Sequence, residues 1–262
     1  MSVMTFLSDF GNSSNYVSQM KGVALSMTNA NLIDINHEIE PQNVREGAFV
    51  LKTCIPYFPA GTVHVGVVDP GVGTNRRGIV VTTSTQILVG PDNGLLIPAA
   101  KHLGNFTVYE IANPDLFLNK VSNTFHGRDI FTPVGSHILN GLMFENIGPI
   151  INDFIDLNFG MSEITDKTAT GKVIYIDRFG NIITNIDGYN LMQSLTYDKK
   201  IMLFIGEKQV ELPFAKSYDF VKKGELLATI GSSNYFEIAL NQGDARKKLG
   251  AKPDDEIKIL FN

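Results

Sequence analysis

The chain has 262 residues, of which 44% are hydrophobic and 19% charged, and its formal net charge is -5. These values are typical of a folded protein with one large core or two unequal ones, and they exclude a disordered or low-complexity chain. Because the charge is negative and the basic residues form no stripe, nothing favours binding to nucleic acid.

A single cysteine, Cys54, excludes an intrachain disulfide and is typical of a reducing compartment. It lies in the apolar stretch AFVLKTCIPYF, so we interpret it as a buried small hydrophobe. The start of the chain shows no basic segment followed by an apolar run, and no apolar stretch is long enough to span a bilayer. We therefore expect a cytoplasmic protein without a membrane partner.

Residues 1–160 alternate between predicted strands and helices. In chain order the predicted elements are the strand VMTFL, a helix over 16–27, the strand NLIDI, a helix over 44–57 capped by Asn43, the strands TVHVGVV, GIVVTT and QILVG, a turn over 91–94, a helix over 95–103, the strand FTVYEI and a helix over 130–140. This alternation predicts an α/β domain with a mostly parallel sheet. Ligands bind beyond the carboxyl ends of such strands, where Asp9 and Asp69 are placed.

The second part of the chain reads as short strands separated by turn residues. After a less regular stretch over 152–170, the predicted strands are KVIYID, NIITNI, KIMLFI, LLATIG, FEIAL and EIKIL, with one short helix over 244–249. Six short strands with little helix predict a smaller antiparallel β-barrel domain, which we place at residues 168–262.

The sequence lacks a dinucleotide-binding motif and a histidine pair typical of a metal site. The run DPGVGTNRRG contains Gly71-x-Gly73, but Arg76 occupies the third glycine position and a strand follows instead of a helix, so the dinucleotide-binding motif is excluded. The histidines show no pair with metal-ligand spacing. They are His37, His64, His102, His126 and His137. We therefore predict neither a metal nor a bound cofactor.

Three polar clusters interrupt the apolar context, and each combines a titratable residue with glycine. They are SDFG at 8–11, DPGVGTNRR at 69–77 and FHGRD at 125–129. Each has a structural alternative: Asp9 capping a helix, Asp69 closing a turn, His126 as a hydrogen-bonded structural histidine, and Arg128–Asp129 as a local ion pair. Together they predict a small-molecule enzyme of the α/β class.

These fragments, with PDNGLL, IDRFGN and SSNYFEIALNQGDA, closely resemble the S-adenosylmethionine hydroxide adenosyltransferases, relatives of the fluorinase and chlorinase enzymes. The resemblance covers nearly the whole chain. It implies a larger N-terminal α/β domain, a smaller C-terminal β-barrel domain, and homotrimers with active sites between subunits. It also implies hydrolysis of S-adenosylmethionine, the substrate, to adenosine and methionine, without a cofactor.

The resemblance assigns the water-activating residues to Asp69, Arg76 and His126, with Arg76 chosen over Arg77 by its place in the GTxRR run. It also implies a set of substrate-binding residues: Asp9 for the ribose hydroxyls, Phe125 for the ribose pocket, Asp177 for the methionine ammonium, Phe179 and Asn181 for the adenosine part, Tyr218 for adenine stacking, and Ser233 for the methionine carboxylate. Structural roles stay open for three of these residues: Phe179 in the barrel core, Asn181 in a turn, and Tyr218 in the surface or core.

The identity of the proton acceptor stays open between Asp69 and His126. A guanidinium next to a carboxylate lowers the pKa of the carboxyl group, so we expect Arg76 to weaken Asp69 as a base. A weakened Asp69 favours His126, which titrates near neutral pH, or direct binding of hydroxide.

Three other functions compete with hydrolysis. In the fluorinase a tyrosine replaces the aspartate of DPGVG, and an extra loop is present in the first domain; here Asp69 would repel a halide, and only Ser84 separates GIVVTT from QILVG. A non-catalytic sensor of S-adenosylmethionine or adenosine would not need Asp69, Arg76 and His126 together. A methyltransferase would carry a glycine-rich loop opening a helix after the first strand, which the sequence lacks.

Overall fold

The computed structural model describes residues 2–262, which form two compact units. The first unit extends to Asn158, and the second runs from Phe159 to Asn262. Within residues 2–262, no helix has the length and apolar character needed to cross a membrane.

The first unit is built on one six-stranded sheet. Its strands are β1 (Val3–Ser8), β2 (Asn31–Asn36), β3 (Val63–Val67), β4 (Gly78–Thr83), β5 (Ile87–Pro91) and β6 (Phe106–Glu110). They lie in the order β2-β1-β3-β5-β4-β6, and the first four are mutually parallel, whereas β4 runs antiparallel to both of its neighbours. The prediction of a mostly parallel sheet is confirmed.

Four helices accompany this sheet: α1 (Tyr16–Met27), α2 (Val44–Cys54), α3 (Ile97–Leu103) and α4 (Thr132–Leu139). The predicted cap of α2 is confirmed, because Asn43 Oδ1 accepts a hydrogen bond from the Glu46 N–H at 3.1 Å. The helix predicted over 44–57 stops at Cys54 and continues as a 3₁₀ turn, Ile55–Tyr57, which contains Pro56. Proline has no N–H to continue the helical ladder.

The helix predicted over 130–140 begins earlier and in a different form. A π-helical turn, Gly127–Phe131, precedes α4. Single π-helical turns occur often at functional sites, and this one follows His126 directly. The helix predicted over 95–103 begins at Ile97 instead of Leu95.

The register between the two central strands sets the position of the site. Strands β1 and β3 are parallel neighbours, and Ser8 pairs with Val67 at their carboxyl ends. Both strands are buried along their whole length, as expected for a parallel sheet covered on both faces. Asp9 and Asp69, which follow these strands, therefore leave the sheet at the same edge.

The second unit is a closed barrel with one short extra strand. Its strands are β7 (Glu163–Ile164), β8 (Thr168–Ile176), β9 (Ile182–Asp187), β10 (Lys199–Ile205), β11 (Lys208–Phe214), β12 (Leu226–Ile230), β13 (Tyr235–Leu240) and β14 (Glu256–Leu260), accompanied by the helices α5 (Gly188–Leu191) and α6 (Ala245–Leu249). The order is β14-β10-β11-β12-β13-β9-β8-β7, and pairing of β14 with β8 closes the ring.

The predicted barrel is confirmed, but the count of six strands was wrong because β7 and β11 were missed. Strand β11, KQVELPF, carries charged residues and Pro213, which obscure the alternation of a strand. It joins β12 in parallel at Phe214 and Ala228, whereas the other paired strands in this sheet run antiparallel.

Candidate active site

A cavity of about 400 Å³ opens at the carboxyl edge of the first sheet. Its lining comes from the end of β3, the segments that follow β1, β2 and β3, the first residue of α1, and the start of the π-helical turn with the residues before it. The lining residues are Asp9, Phe10, Tyr16, Pro41, Gln42, Val67, Asp69, Pro70, Val72, Thr124, Phe125, His126 and Gly127. Four of the predicted site residues, Asp9, Asp69, Phe125 and His126, thus share one cavity.

Asp69, Arg76 and His126 are in direct contact. The Arg76 guanidinium donates to both oxygens of Asp69, at 3.1 Å from Nε to Oδ1 and 2.5 Å from Nη2 to Oδ2. The same Nη2 lies 3.1 Å from His126 Nδ1. The side chains of Arg76 and Asp69 are only 9% and 5% exposed. The guanidinium also lies over the Phe131 ring, 5.3 Å from its centroid, so packing and polar bonds together fix its orientation.

The turn after β3 brings Arg76 back to Asp69. Its backbone folds through hydrogen bonds from Val72 N–H to Asp69 O and from Thr74 N–H to Gly71 O, both at 3.2 Å. Gly73 has φ +76°, and a Cβ there would lie 2.3 Å from the carbonyl oxygen of Asn123. Only glycine fits both the backbone conformation and this close approach. The turn is thereby pressed against the segment that carries His126.

Arg77, the alternative to Arg76, has different partners. It donates from Nε and Nη2 to Asp92 Oδ2, at 3.1 and 2.8 Å, and from Nη1 to Asp153 Oδ1 at 2.9 Å. Asp92 is buried, and its other oxygen accepts from the Ile155 N–H at 2.8 Å. Arg77 thus ties the segment around Asp153 to the sheet, whereas Arg76 is the arginine that contacts Asp69.

The contact with Arg76 determines the tautomer of His126. A guanidinium only donates hydrogen bonds, so Nδ1 of His126 must accept and the ring proton lies on Nε2. Burial and the positive charge of Arg76 lower the pKa of His126, despite opposing effects from Asp69 and Asp129. His126 is therefore neutral near pH 7, with its basic nitrogen already occupied.

The pKa of Asp69 is shifted in the opposite direction to the one expected from the sequence. Burial raises the pKa of Asp69 and outweighs the lowering by Arg76 and His126. The expectation of a lowered pKa was wrong because it considered the charge of Arg76 without the burial of the carboxylate. Weak basicity of Asp69 is therefore no reason to prefer His126 as the base.

Asp9 does not cap the helix that follows it. The N-cap of α1 is Asn15, whereas Asp9 Oδ2 accepts from the Gln42 N–H at 2.7 Å. The carboxylate therefore lies on the cavity wall, held against the segment after β2.

Three aromatic rings cluster in the same wall. Phe10, Tyr16 and Phe125 contact one another with centroid separations of 5.2–5.6 Å. The Arg128 guanidinium covers Phe125 at 4.9 Å, and Arg128 also forms the predicted ion pair with Asp129, at 2.6 Å from Nε to Oδ1. Sequence reasoning missed Phe10 and Tyr16. The available signal was two aromatic residues close to Asp9 in the chain.

The second unit gathers another group of the predicted residues in the β8–β9 hairpin. Asp177 Oδ1 accepts from the Phe179 and Asn181 N–H groups, and Oδ2 accepts from the Asn181 side-chain amide, all at 2.9 Å. Gly180 has φ +82°, as the tight turn requires. Asn181 is buried and supports this turn, whereas Phe179 is 77% exposed, which excludes the alternative that it belongs to the barrel core.

Tyr218 is held by a residue that sequence reasoning missed. Its hydroxyl donates to Glu237 Oε1 at 2.8 Å. Burial raises the pKa of Glu237, and the nearby charge of Asp177 adds to this. Burial, the bond to Glu237 and the charge of Asp177 also raise the pKa of Tyr218. The missed signal was a glutamate inside the apolar strand FEIAL. Ser233 is exposed in the turn between β12 and β13.

Both units match models of one protein family. Residues 4–148 match the SAM hydroxide adenosyltransferase N-terminal domain, and residues 171–258 match the C-terminal domain. The chain belongs to the SAM hydroxide adenosyltransferase family. The resemblance identified from sequence motifs is thereby confirmed.

Curated relatives of this chain carry two different names. An (R)-S-adenosyl-L-methionine hydrolase from Methanocaldococcus jannaschii is 39% identical, covering 100% of this chain and 97% of the relative. A hydrolase of the same name from Salinispora arenicola is 35% identical, covering 98% and 97%. A fluorinase from Nocardia brasiliensis is 27% identical, covering 98% and 96%.

Two solved structures have the same fold as this chain. A conserved protein from Thermotoga maritima has a TM-score of 0.94 at 39% identity, covering 98% of this chain and 100% of that one. A conserved protein from Thermus thermophilus has a TM-score of 0.80 at 31% identity, covering 99% and 100%.

A second groove, of about 540 Å³, lies on the barrel of this family member and is lined by residues such as Lys172, Phe204 and Lys258. None of the predicted site residues lines it. Among residues 2–262, no group of three or more His, Cys, Asp or Glu side chains is arranged to hold a metal ion.

Proposed function

We propose that this chain hydrolyses S-adenosylmethionine at C5′, releasing adenosine and methionine. Relatives at 32–39% identity carry the name (R)-S-adenosyl-L-methionine hydrolase, and we propose the same (R) sulfonium epimer as substrate. The observation that carries the proposal is the contact of Asp69, Arg76 and His126 at a cavity that Asp9 also lines.

Activation of water is the difficult part of the reaction. The sulfonium leaves C5′ as a neutral thioether, so the leaving group needs no proton. Neutral water is a poor nucleophile and must be aligned behind C5′ while it loses a proton. Alignment of reacting groups supplies up to ~7–11 kcal/mol in favourable cases. The cavity walls and the fixed Arg76–Asp69 pair are suited to this role.

In the proposed step Asp69 accepts the proton. The water O–H bond breaks toward the Asp69 carboxylate, the oxygen bonds to C5′, and the C5′–S electron pair leaves with sulfur. A carboxyl group with a raised pKa is a better base than an ordinary aspartate. Arg76 favours negative charge developing on the oxygen, and neutral His126 offers its Nε2–H to orient the water.

The remaining predicted residues hold the substrate in this proposal. Asp9 binds the ribose diol and Phe125 lines the ribose pocket, beside the aromatic neighbours Phe10 and Tyr16. The assignments on the second unit are Asp177 to the methionine ammonium, Phe179 and Asn181 to the adenosine part, Tyr218 to adenine and Ser233 to the methionine carboxylate. The exposure of Phe179 supports its assignment, since an exposed aromatic ring is available for stacking.

We also propose that the protein is a cytoplasmic homotrimer in which residues from two subunits contact each substrate molecule. This follows the pattern that the family resemblance implies. The proposed reaction needs only water beside the substrate, with no cofactor or metal.

A product assay tests the proposed function. Purified protein is incubated separately with the (R) and (S) sulfonium epimers, with and without chloride or fluoride, and the products are separated by chromatography. We expect adenosine and methionine, formed faster from the (R) epimer and unaffected by halide. Ligand retained without turnover would instead identify a sensor. A 5′-halogenated adenosine would identify a halogenase, and S-adenosylhomocysteine a methyltransferase.

A further inference from the structure

The segment that carries Asp9 is bound to the segment after β2 by several hydrogen bonds. They run from Gly11 N–H to His37 O at 2.7 Å, from Gln42 N–H to Asp9 Oδ2 at 2.7 Å and from Asn12 N–H to Glu38 Oε1 at 2.8 Å. The position of Asp9 on the cavity wall therefore depends on how the segment around His37 is held.

His37 joins the buried Ser8 to the partly exposed Asp34 through a chain of side-chain hydrogen bonds. Its Nδ1 is 2.7 Å from Ser8 Oγ, and its Nε2 is 3.0 Å from Asp34 Oδ1. Ser8 Oγ in turn accepts from the Phe10 N–H at 3.3 Å. Ser8 and His37 are only 0% and 2% exposed. These hydrogen-bonded side chains thus fix the backbone on both sides of Asp9.

The direction of each bond in this chain follows from its acidic end. Burial raises the pKa of Asp34, but hydrogen bonds from Lys21, at 2.5 Å, and from His37 outweigh it, so the pKa is lowered and the group is an anion. Asp34 therefore accepts from Nε2–H of His37, and in the neutral imidazole Nδ1 is then the acceptor for the Ser8 hydroxyl. Ser8 can then accept the Phe10 N–H with its lone pair.

Ser8, His37 and Asp34 are the residue types of a nucleophilic Ser-His-Asp triad, but Ser8 cannot reach a substrate. A nucleophile must meet a substrate carbon, whereas Ser8 is fully buried and the residues lining the cavity do not include it. The side chains of Ser8, His37 and Asp34 therefore act by positioning the residues next to them. Side-chain networks that lock a binding residue improve affinity because they reduce the ordering needed on binding.

We propose that His37, through Ser8, is a positioning residue that sets the affinity for the ribose by holding Asp9 and Phe10 on the cavity wall. His37 and Ser8 do not touch the substrate in this proposal. The inference rests on the proposed role of Asp9 in binding ribose hydroxyls.

The same sheet contains a matched control. Thr5 Oγ1 lies 2.7 Å from His64 Nδ1, and His64 Nε2 lies 3.2 Å from Gln86 Oε1. Thr5 and Ser8 belong to the same strand, and His64 is fully buried like Ser8. His64 and its partners do not line the cavity. Loss of His64 removes an equivalent buried hydrogen bond without disturbing the Asp9 segment.

The test compares H37L with H64L, and S8A with S8T, in the full-length protein. Thermal unfolding reports the stability of each variant, turnover of S-adenosylmethionine gives kcat and KM, and calorimetry gives the Kd for adenosine. For H37L and S8A we expect KM and the adenosine Kd to rise about tenfold, a change worth ~1.4 kcal/mol, with kcat within about twofold. S8T, which keeps the hydroxyl, should restore both values.

H64L should lose stability while its KM and adenosine Kd stay within about twofold of the original protein. Equal increases in KM for H37L and H64L, or an unchanged adenosine Kd in S8A, would overturn the proposal. If H37L does not fold, comparison of KM and the adenosine Kd between S8A and S8T tests the proposal instead. Absence of turnover in the original protein would contradict the proposed hydrolysis, and the adenosine Kd values would still decide the role of His37.

Discussion

Arg76 and Asp69 form a bidentate ion pair, with Nη2 2.5 Å from Oδ2 and Nε 3.1 Å from Oδ1. A planar guanidinium that donates to both carboxylate oxygens fixes the orientation of the carboxylate, as a lysine ammonium does not. The same nitrogen reaches His126, so the three groups form one unit. The proposed activation of water depends on this geometry.

Loss of the proposed base should slow the chemical step. We expect D69N to lower kcat about a hundredfold or more while the Kd for adenosine stays within about threefold, because Asp69 acts on water in our proposal. Steady-state kinetics and calorimetry measure the two quantities. Full turnover in D69N would remove Asp69 from the mechanism, and a weakened Kd with unchanged kcat would make it a binding residue.

The adjacent arginines provide a matched pair. R76K should lower kcat at least about tenfold, because a lysine cannot donate to both Asp69 oxygens and to His126 from one planar group. R77K should leave kcat within about twofold and reduce thermal stability, because Arg77 binds Asp92 and Asp153. The reverse pattern, with activity lost in R77K alone, would show that the two arginines have been assigned to the wrong roles.

The pH dependence of kcat follows from the two opposite pKa shifts. The pKa of Asp69 is raised by burial, and that of His126 is lowered by burial and by Arg76. Both groups are then in their active forms at neutral pH, with Asp69 charged and His126 neutral. We expect a plateau from about pH 7 upward and a loss of rate only in acid, as His126 and Asp69 become protonated.

Two kinetic results would contradict that expectation. A rate that keeps rising tenfold per pH unit above pH 7 would indicate direct use of hydroxide. Unchanged turnover in D69N, together with loss of turnover in H126N, would make His126 the proton acceptor.

The ribose role of Asp9 can be isolated with a substrate analogue. D9A should weaken adenosine binding about tenfold or more, since hydrogen bonds to a charged group contribute ~1.5–3 kcal/mol. The same variant should bind 2′,3′-dideoxyadenosine about as well as the original protein does, because that analogue has no diol. Calorimetry measures all four affinities. An equal loss for both ligands would mean that Asp9 shapes the cavity without binding the hydroxyls.

The proposed sharing of sites between subunits is tested by mixing two inactive variants. D69A lacks the proposed base and D177A lacks the proposed ammonium ligand, and co-expression would produce mixed oligomers. If each site uses residues from two subunits, random assembly gives about a quarter of the original activity at low substrate. Activity equal to the mean of the two separate variants, or a monomeric mass by light scattering, would contradict the proposal.

Much of the fold and the main cluster could be predicted from the sequence because they depend on local patterns. The helix over Tyr16–Met27 shows its apolar spacing, and the parallel strands before Asp9 and Asp69 place both carboxylates at one sheet edge. The charged, proline-containing strand at Lys208–Phe214 was missed because its partners in the barrel, and not its own pattern, stabilise it.

What the sequence could not reveal depends on burial and on contacts between distant segments. The raised pKa of Asp69 results from the depth of its pocket, which no local motif indicates. The bond between Ser8 and His37 joins residues 29 positions apart, and the Tyr218–Glu237 bond joins residues 19 apart. Such pairs become visible only when the strands are placed side by side.

Isotope labelling gives the most direct test of the central claim, that water activated beside Asp69 attacks C5′. The protein is allowed to turn over S-adenosylmethionine in water enriched in ¹⁸O, and adenosine and methionine are analysed by mass spectrometry. Our account predicts that the label enters adenosine at its 5′ oxygen, that methionine carries none, and that D69N forms little labelled product. Adenosine without ¹⁸O, or labelled adenosine formed at full rate by D69N, would contradict it.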